Sequence, residues 1–262
     1  MLRAELYRAF WNRSFLLALV LGILLLGYGL FEYSEGTDIP GANPFLCNAY
    51  DAVIWAQAGP VVLLVPLLAV LPFADSYALD RTQGYLRHVL VRSSYRRYFF
   101  AKFVANLLAG GLAVALPLLL LFGYTNLVYP RGLLPIEESR VTIGGYPYGP
   151  LGSLYRIAPD LYILFRVGVG FIFGATYATL GLAISSFVNN RYIVLATPFL
   201  LYHIANFVLA VLGLERWSPP VTFIPDAVKT TSWLTVFGEL GGIFVVSVLC
   251  LLVLARKDRV YA

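Results

Sequence analysis

The sequence predicts an all-α, polytopic membrane protein. It has six transmembrane helices, an N-terminal interfacial (elbow) helix and a short cytoplasmic helix between spans two and three. Three observations predict this. First, 60% of the 262 residues are hydrophobic and 13% are charged, against about 25% charged in soluble domains, and the mean hydropathy is +0.77. Second, the apolar runs reach the roughly 20 residues that cross a hydrocarbon core. Third, the charges are segregated by loop, so the net charge of +5 reads as membrane orientation and not as affinity for nucleic acid. Residues 1–262 form one membrane domain with no separate soluble unit.

The first element is 2–13, LRAELYRAFWNR. On a helical wheel Leu2, Leu6, Tyr7, Phe10 and Trp11 share a broad face, with Glu5, Arg8 and Asn12 opposite. That is the pattern of a helix lying in the membrane interface. The apolar run from Phe15 to about Leu30 is long for a signal peptide and lacks a small-x-small site after it, so it reads as a retained first span. The spans are expected at about 14–33, 53–73, 99–124, 161–187, 192–213 and 234–255, with Pro60 and Pro66 kinking the second.

Orientation follows from the loops. One set carries Arg3, Arg8, Arg13, Arg81, Arg87, Arg92, Arg96, Arg97, Lys102, Arg191, Arg256, Lys257 and Arg259. The other set holds Arg131, Arg140, Arg156, Arg216 and Lys229 among many acids. By the positive-inside rule both termini are cytoplasmic, in the plasma membrane of a bacterial cell. The outer segment 125–160 is rich in Pro and Gly and should be built of turns. The semi-apolar, Pro-broken segment 214–233 has the composition to dip into the outer leaflet as short helices, or to stay on the surface. Small residues recur at every fourth position in Ala105, Ala109 and Ala113, in Gly170, Gly174 and Ala178, and in Gly238 and Gly242. Such stripes let helices approach closely in lipid.

Catalytic signatures are absent from the sequence. There is no G-x-x-x-x-G-K-[ST] loop, and the lysines are Lys102, Lys229 and Lys257, so ATP is not bound by the P-loop route. H-E-x-x-H and G-x-S-x-G are missing. The adjacent Glu137 and Glu138 fall in a loop between Pro135 and Arg140, unlike the paired glutamates of an intramembrane protease. Cys47 and Cys250 fall in a loop and a span, so neither a disulfide between them nor a metal site is expected. The polar residues within spans are Gln57, Arg166, Tyr177, His203 and Asn206. Each is either a structural group or a lining of a transport pathway, and Arg166 either snorkels to the outer headgroups or faces an outer vestibule. No intramembrane charge pairs are expected.

The segment 75–102 is the most distinctive. Gly84 should break the extension of span two. Beyond it, Tyr85, Leu86, Val89 and Leu90 form an apolar face, with Arg87, His88 and Arg92 opposite. Ser93 and Ser94 then cap a helix carrying Arg96, Arg97 and Lys102, read as inner-leaflet anchors, into span three.

With the elbow, the six spans and this loop in place, the chain resembles an ABC-2 type transporter permease. The residues that carry the resemblance are Asp80, Gly84, Leu86, Leu90, Arg92, Arg96, Ala101, Lys102 and Phe103. The family often has Glu before the Gly, where this chain has Gln83, and the 125–160 loop lies outside the resemblance. The resemblance implies the membrane subunit of an exporter, with no ATP or Mg bound in this chain. Its partners would be nucleotide-binding ATPase subunits, a second permease subunit (the same or a homologous chain) and membrane lipids. Gln83, Gly84, Tyr85, Leu86, Arg87, His88, Val89 and Leu90 would form the coupling helix that docks on the ATPase. The alternatives are a secondary transporter or channel not powered by ATP, and a membrane-bound enzyme or scaffold.

Overall fold

The computed structural model describes residues 1–35, 48–92, 94–133, 147 and 149–257. Cys47, Glu137 and Glu138 lie outside the described residues. The described chain is helical throughout, without strands. Its elements are α1 (Leu2–Phe10), α2 (Arg13–Glu35), α3 (Ala49–Ala58), α4 (Val61–Val70), α5 (Ser76–Thr82), α6 (Tyr85–Arg92), α7 (Tyr95–Val128), α8 (Leu154–Ile157), α9 (Pro159–Ser185), α10 (Arg191–Val211), a 3-10 turn (Glu215–Trp217), α11 (Pro219–Phe223) and α12 (Trp233–Lys257). Five of these, α2, α7, α9, α10 and α12, are long and apolar enough to cross a membrane, which makes the chain a multi-pass helical membrane protein by length and composition.

The expected second span differs. It is two ten-residue helices, α3 and α4, bent by 75° at Gly59–Pro60. Each is about 15 Å long at 1.5 Å per residue, half of what a crossing requires. Pro66 lies inside α4 without breaking it, whereas the Gly59–Pro60 step ends α3. The pair runs antiparallel to α2 along its length. At one end the Asn48 amide donates to Tyr33 (3.2 Å), and at the other the Asn12 side chain donates to the Pro72 carbonyl (3.1 Å).

Helix α1 buries Glu5 and Ala9 against the bundle and leaves Tyr7 and Trp11 exposed. Leu6 and Phe10 also pack inward against the cluster of Ala9, Phe15 and Ala18, while the outward Tyr7 and Trp11 suit a helix lying at the membrane interface. The turn into α2 is held by Asn12, whose Oδ1 accepts from the Phe15 amide (2.6 Å).

The centre of the bundle is the α7–α9 contact. A Cβ added at Gly110 would stand 2.8 Å from the Ala69 carbonyl oxygen and 2.9 Å from that of Gly174. One added at Gly174 would stand 2.9 Å from Val114 Cγ2. The stripes Ala105–Ala109–Ala113 and Gly170–Gly174–Ala178 therefore pack within the chain, whereas nothing lies within 4 Å of a Cβ added at Gly242. Gly110→Val is expected to lower stability by about 1–3 kcal/mol or more through overpacking, read as a lower melting temperature of the purified protein. Gly123→Ala, where nothing lies within 4 Å, is the matched control.

The segment after α10 folds into the bundle as short helices. Val221 and Phe223 are buried, and the Phe223 ring packs 5.4 Å from that of Phe173, near the middle of α9.

Candidate functional site

The end of the bundle that gathers Arg8, Arg81, Arg96, Arg97 and Arg191 carries a linked set of charged groups. Gly84, at φ +73°, a left-handed conformation that glycine adopts without steric cost, separates α5 from α6 as the sequence predicts. On α5, Asp80 is buried and accepts from Arg8 Nη2 at 2.7 Å and from the Tyr98 hydroxyl at 2.5 Å. The Lys102 ammonium lies 2.7 Å from Asp80 and 3.5 Å from Glu5, and Arg8 also pairs with Glu5 at 3.1 Å. Two cations and two carboxylates thus balance, joining α1, α5 and α7. Arg81 Nη1 donates to the Ser186 carbonyl (2.9 Å), tying α5 to the end of α9.

Burial would raise the Asp80 pKa, but Arg8, Lys102 and Tyr98 outweigh it and hold the carboxyl below the usual range. Asp75 goes the other way: burial pushes it up, and Arg191 at 3.3 Å offsets this in part.

Lys102 is therefore corrected. It is fully buried and serves as an internal ion-pair partner, not an inner-leaflet anchor. Arg96 and Arg97 are exposed, as headgroup contacts must be. On α6 the apolar face is likewise corrected. Val89 is buried in a cluster with Tyr77, Tyr98 and Leu182, and Leu86 packs against it. The outward side chains are Tyr85, His88 and Val91. The side chains of Arg87 and Leu90 lie outside the described ones; Gln83 is exposed. A groove of about 580 Å³ separates Tyr85, His88 and Val91 from Met1 and Ala4 of α1. The Arg8 guanidinium sits 4.9 Å from the Tyr85 ring, so this outward ring of α6 rests against the buried charge set.

At the opposite end Gln57 and Arg166 are enclosed, whereas His203 and Asn206 on α10 are half-buried. Arg166 is 1% exposed. Its Nε donates to Gln57 (2.9 Å), its Nη1 to Tyr162 (3.3 Å), and it pairs with Asp226. Gln57 in turn donates to the Phe223 carbonyl (2.9 Å). Arg166 does not snorkel, because Asp226 and Gln57 meet its charge inside. Tyr177 stacks on Phe173 at 4.4 Å. His203 bonds the Leu63 carbonyl (3.0 Å) and Asn206 accepts from Ser218. Gln57 and Arg166 are brought together; Tyr177, His203 and Asn206 are separate from them. The ion pairs Arg166–Asp226 and Lys102–Asp80 each join a cation on a long helix to a carboxylate outside the candidate spans.

Sequence reasoning missed Glu5 and Asp226 as ion-pair partners, and it missed Glu239. A single carboxylate inside the apolar run 234–255 was the available signal. Among the described residues no three His, Cys, Asp or Glu side chains form a metal site. No family model matches the chain, and no curated protein matches it.

Proposed function

We propose that this chain is the membrane subunit of an ATP-binding cassette exporter, powered by separate ATPase subunits that dock on α6. The observation that carries the proposal is the attachment of α6. It is a short helix, hinged at Gly84 and exposed on the side bearing Tyr85, His88 and Val91. Just before the hinge, α5 is bonded to α1, α7 and the α9 end through Asp80 and Arg81. A push on α6 is therefore passed to three helices at once. The sequence has no P-loop, so in this reading energy enters by contact.

In the same reading the α3–α4 pair counts as one crossing, giving six spans with both termini in the cytoplasm and α1 as the elbow. The exposed apolar sides of α2, α10 and α12 face lipid or the second permease subunit. The chain sits in a bacterial cell membrane.

The reading requires a soluble ATPase encoded alongside this chain, and its test is copurification of the two. The triple replacement Tyr85→Ala, His88→Ala and Val91→Glu is expected to reduce ATPase retention at least roughly tenfold, as loss of a central contact cluster does. Arg96→Ala with Arg97→Ala should leave retention intact. Undiminished retention in the triple variant would sink the docking assignment. A gradient-driven secondary transporter is the second reading, favoured by the unpaired Glu239. Transport that persists without ATP and follows an ion gradient would select it.

A further inference from the structure

A cavity of about 400 Å³ opens where α1, the turn after α4 and the start of α10 meet, within the roughly 300–1,000 Å³ that small-ligand pockets occupy. It lies at the ends of the long apolar helices. Helix α2 begins at Arg13 and α10 at Arg191, and Ser14 and Arg191 both line the cavity. A ligand in it therefore sits at headgroup depth and not in the hydrocarbon core.

The lining charges are Arg8, Arg191 and Asp75. Arg8 is already met by Glu5 and Asp80. That leaves Arg191 and Asp75, one cation and one carboxylate, paired at 3.3 Å through Arg191 Nε. Neither terminal nitrogen of the Arg191 guanidinium has a hydrogen-bond partner among the described residues, and the side chain is 45% exposed. A guanidinium so held presents the planar fork that grips two phosphate oxygens at once. Burial pushes the Asp75 pKa up and Arg191 offsets this in part, so a second cation brought to Asp75 is favoured. Beside it Ser76 also lines the cavity; it is buried, and its hydroxyl has no hydrogen-bond partner. One positive and one negative group complement a zwitterion better than a simple anion, which Asp75 would repel.

The rest of the lining selects a lipid over a soluble phosphate compound. Tyr7 and Trp11 border the cavity, stacked 6.1 Å apart and largely exposed, as aromatic side chains at headgroup level are. Within three residues of Ser14 and Arg191, α2 exposes Leu16 and Leu17 and α10 exposes Ile193. Acyl chains have apolar surface there to run along.

We propose that this cavity binds the headgroup of a zwitterionic phospholipid with a primary ammonium, phosphatidylethanolamine, its phosphate on Arg191 and its ammonium on Asp75. The site does not rest on the docking of an ATPase.

The experiment is native mass spectrometry of the full chain in detergent, titrated with phosphatidylethanolamine and phosphatidylglycerol of the same acyl chains. One saturable phosphatidylethanolamine per chain is expected, held at least roughly tenfold more tightly than phosphatidylglycerol, the factor given by about 1.4 kcal/mol. Asp75→Asn keeps the shape and removes the charge, so it should abolish that preference. Arg191→Gln should weaken both lipids. Arg96→Gln with Arg97→Gln, exposed cations outside the cavity, should alter neither. Equal binding of the two lipids by the unaltered chain, a preference kept in D75N, or parent affinity in R191Q would each overturn the site. Inorganic phosphate and glycerophosphoethanolamine identify the source: displacement of the lipid by either at equal concentration would overturn the lipid assignment. The comparison of the two lipids uses the unaltered protein, so it stands even where a variant misfolds.

Discussion

Lys102→Met is expected to destabilise the folded protein by about 3–5 kcal/mol, the usual consequence of removing one partner from a buried ion pair. Lys102 and Asp80 each expose only 1% of their side chains, so neither charge can be rehydrated without opening the α1–α5–α7 junction. Methionine has the length to fill the space, which leaves the orphaned carboxylates as the cause of the loss. The double variant K102M with Asp80→Leu should recover at least about half of it, because Arg8 and Glu5 already pair at 3.1 Å and balance each other. Such coupling of neighbours is commonly about 0.5–3 kcal/mol. Unfolding titrations of the four proteins of this cycle in detergent measure it; a simple sum of the single effects would mean the set is not a unit.

The same junction sets an acid limb. The folded-state pKa of Asp80 is depressed, so its contribution is present above the ordinary aspartate range and is lost as pH falls through the lowered value. Asp80→Asn should flatten that limb. Asp75 acts with the opposite sign. Its raised pKa makes the folded state bind a proton more readily, so its contribution declines as pH rises from the ordinary value through the raised one.

Sequence periodicity located the long helices because each depends on local facts. Pro159 at the first turn begins α9, and Asn190, accepting from the Tyr192 amide, begins α10. Gly84 marked its break because glycine alone takes that φ freely. Two features were not legible. The Gly59–Pro60 bend and Pro66 look alike in sequence, and the difference lies in packing: Gly59 Cα must pass close to Gly29 and Ala56, where a Cβ would stand 3.3 Å and 3.2 Å from Gly29 Cα and the Ala56 carbonyl. The charge sets were hidden for a different reason. Arg8 and Asp80 are 72 residues apart, and Lys102 reads as the last of a basic run. Yet five residues on from Arg97 it lies roughly 140° further round the helix, on the side that meets α1 and α5 and not the side that meets lipid. Helical phase, more than composition, distinguished an anchor from an ion pair there.

Phase does not explain Arg166, whose fate depends on a loop. Arg166→Leu is expected to cost about 3–5 kcal/mol, since it leaves Asp226 with 10% side-chain exposure and no cation. Gln57→Leu should cost less, about 1–2 kcal/mol, as a neutral hydrogen-bonding group. The larger consequence is local. Asp226 ends the segment that carries α11, and Gln57 holds the Phe223 carbonyl, so Arg166 fastens α11 between α3 and α9 by its two sides. Without it, α11 should open more often than the bundle unfolds, because elements with few remaining ties open first. Val221, 6% exposed, reports this: as Val221→Cys, with Cys47 and Cys250 replaced by Ser, it should react slowly with a maleimide in the parent. It should react roughly tenfold faster in R166L, the factor given by about 1.4 kcal/mol of local opening. Neutralising both partners, as Arg166→Met with Asp226→Asn, should restore much of the melting temperature but not the slow labelling, because the direct tether is still missing. If labelling instead recovered together with the melting temperature, the pair would act through charge balance alone, and the seating of α11 would have to depend on the packing of Phe223 against Phe173.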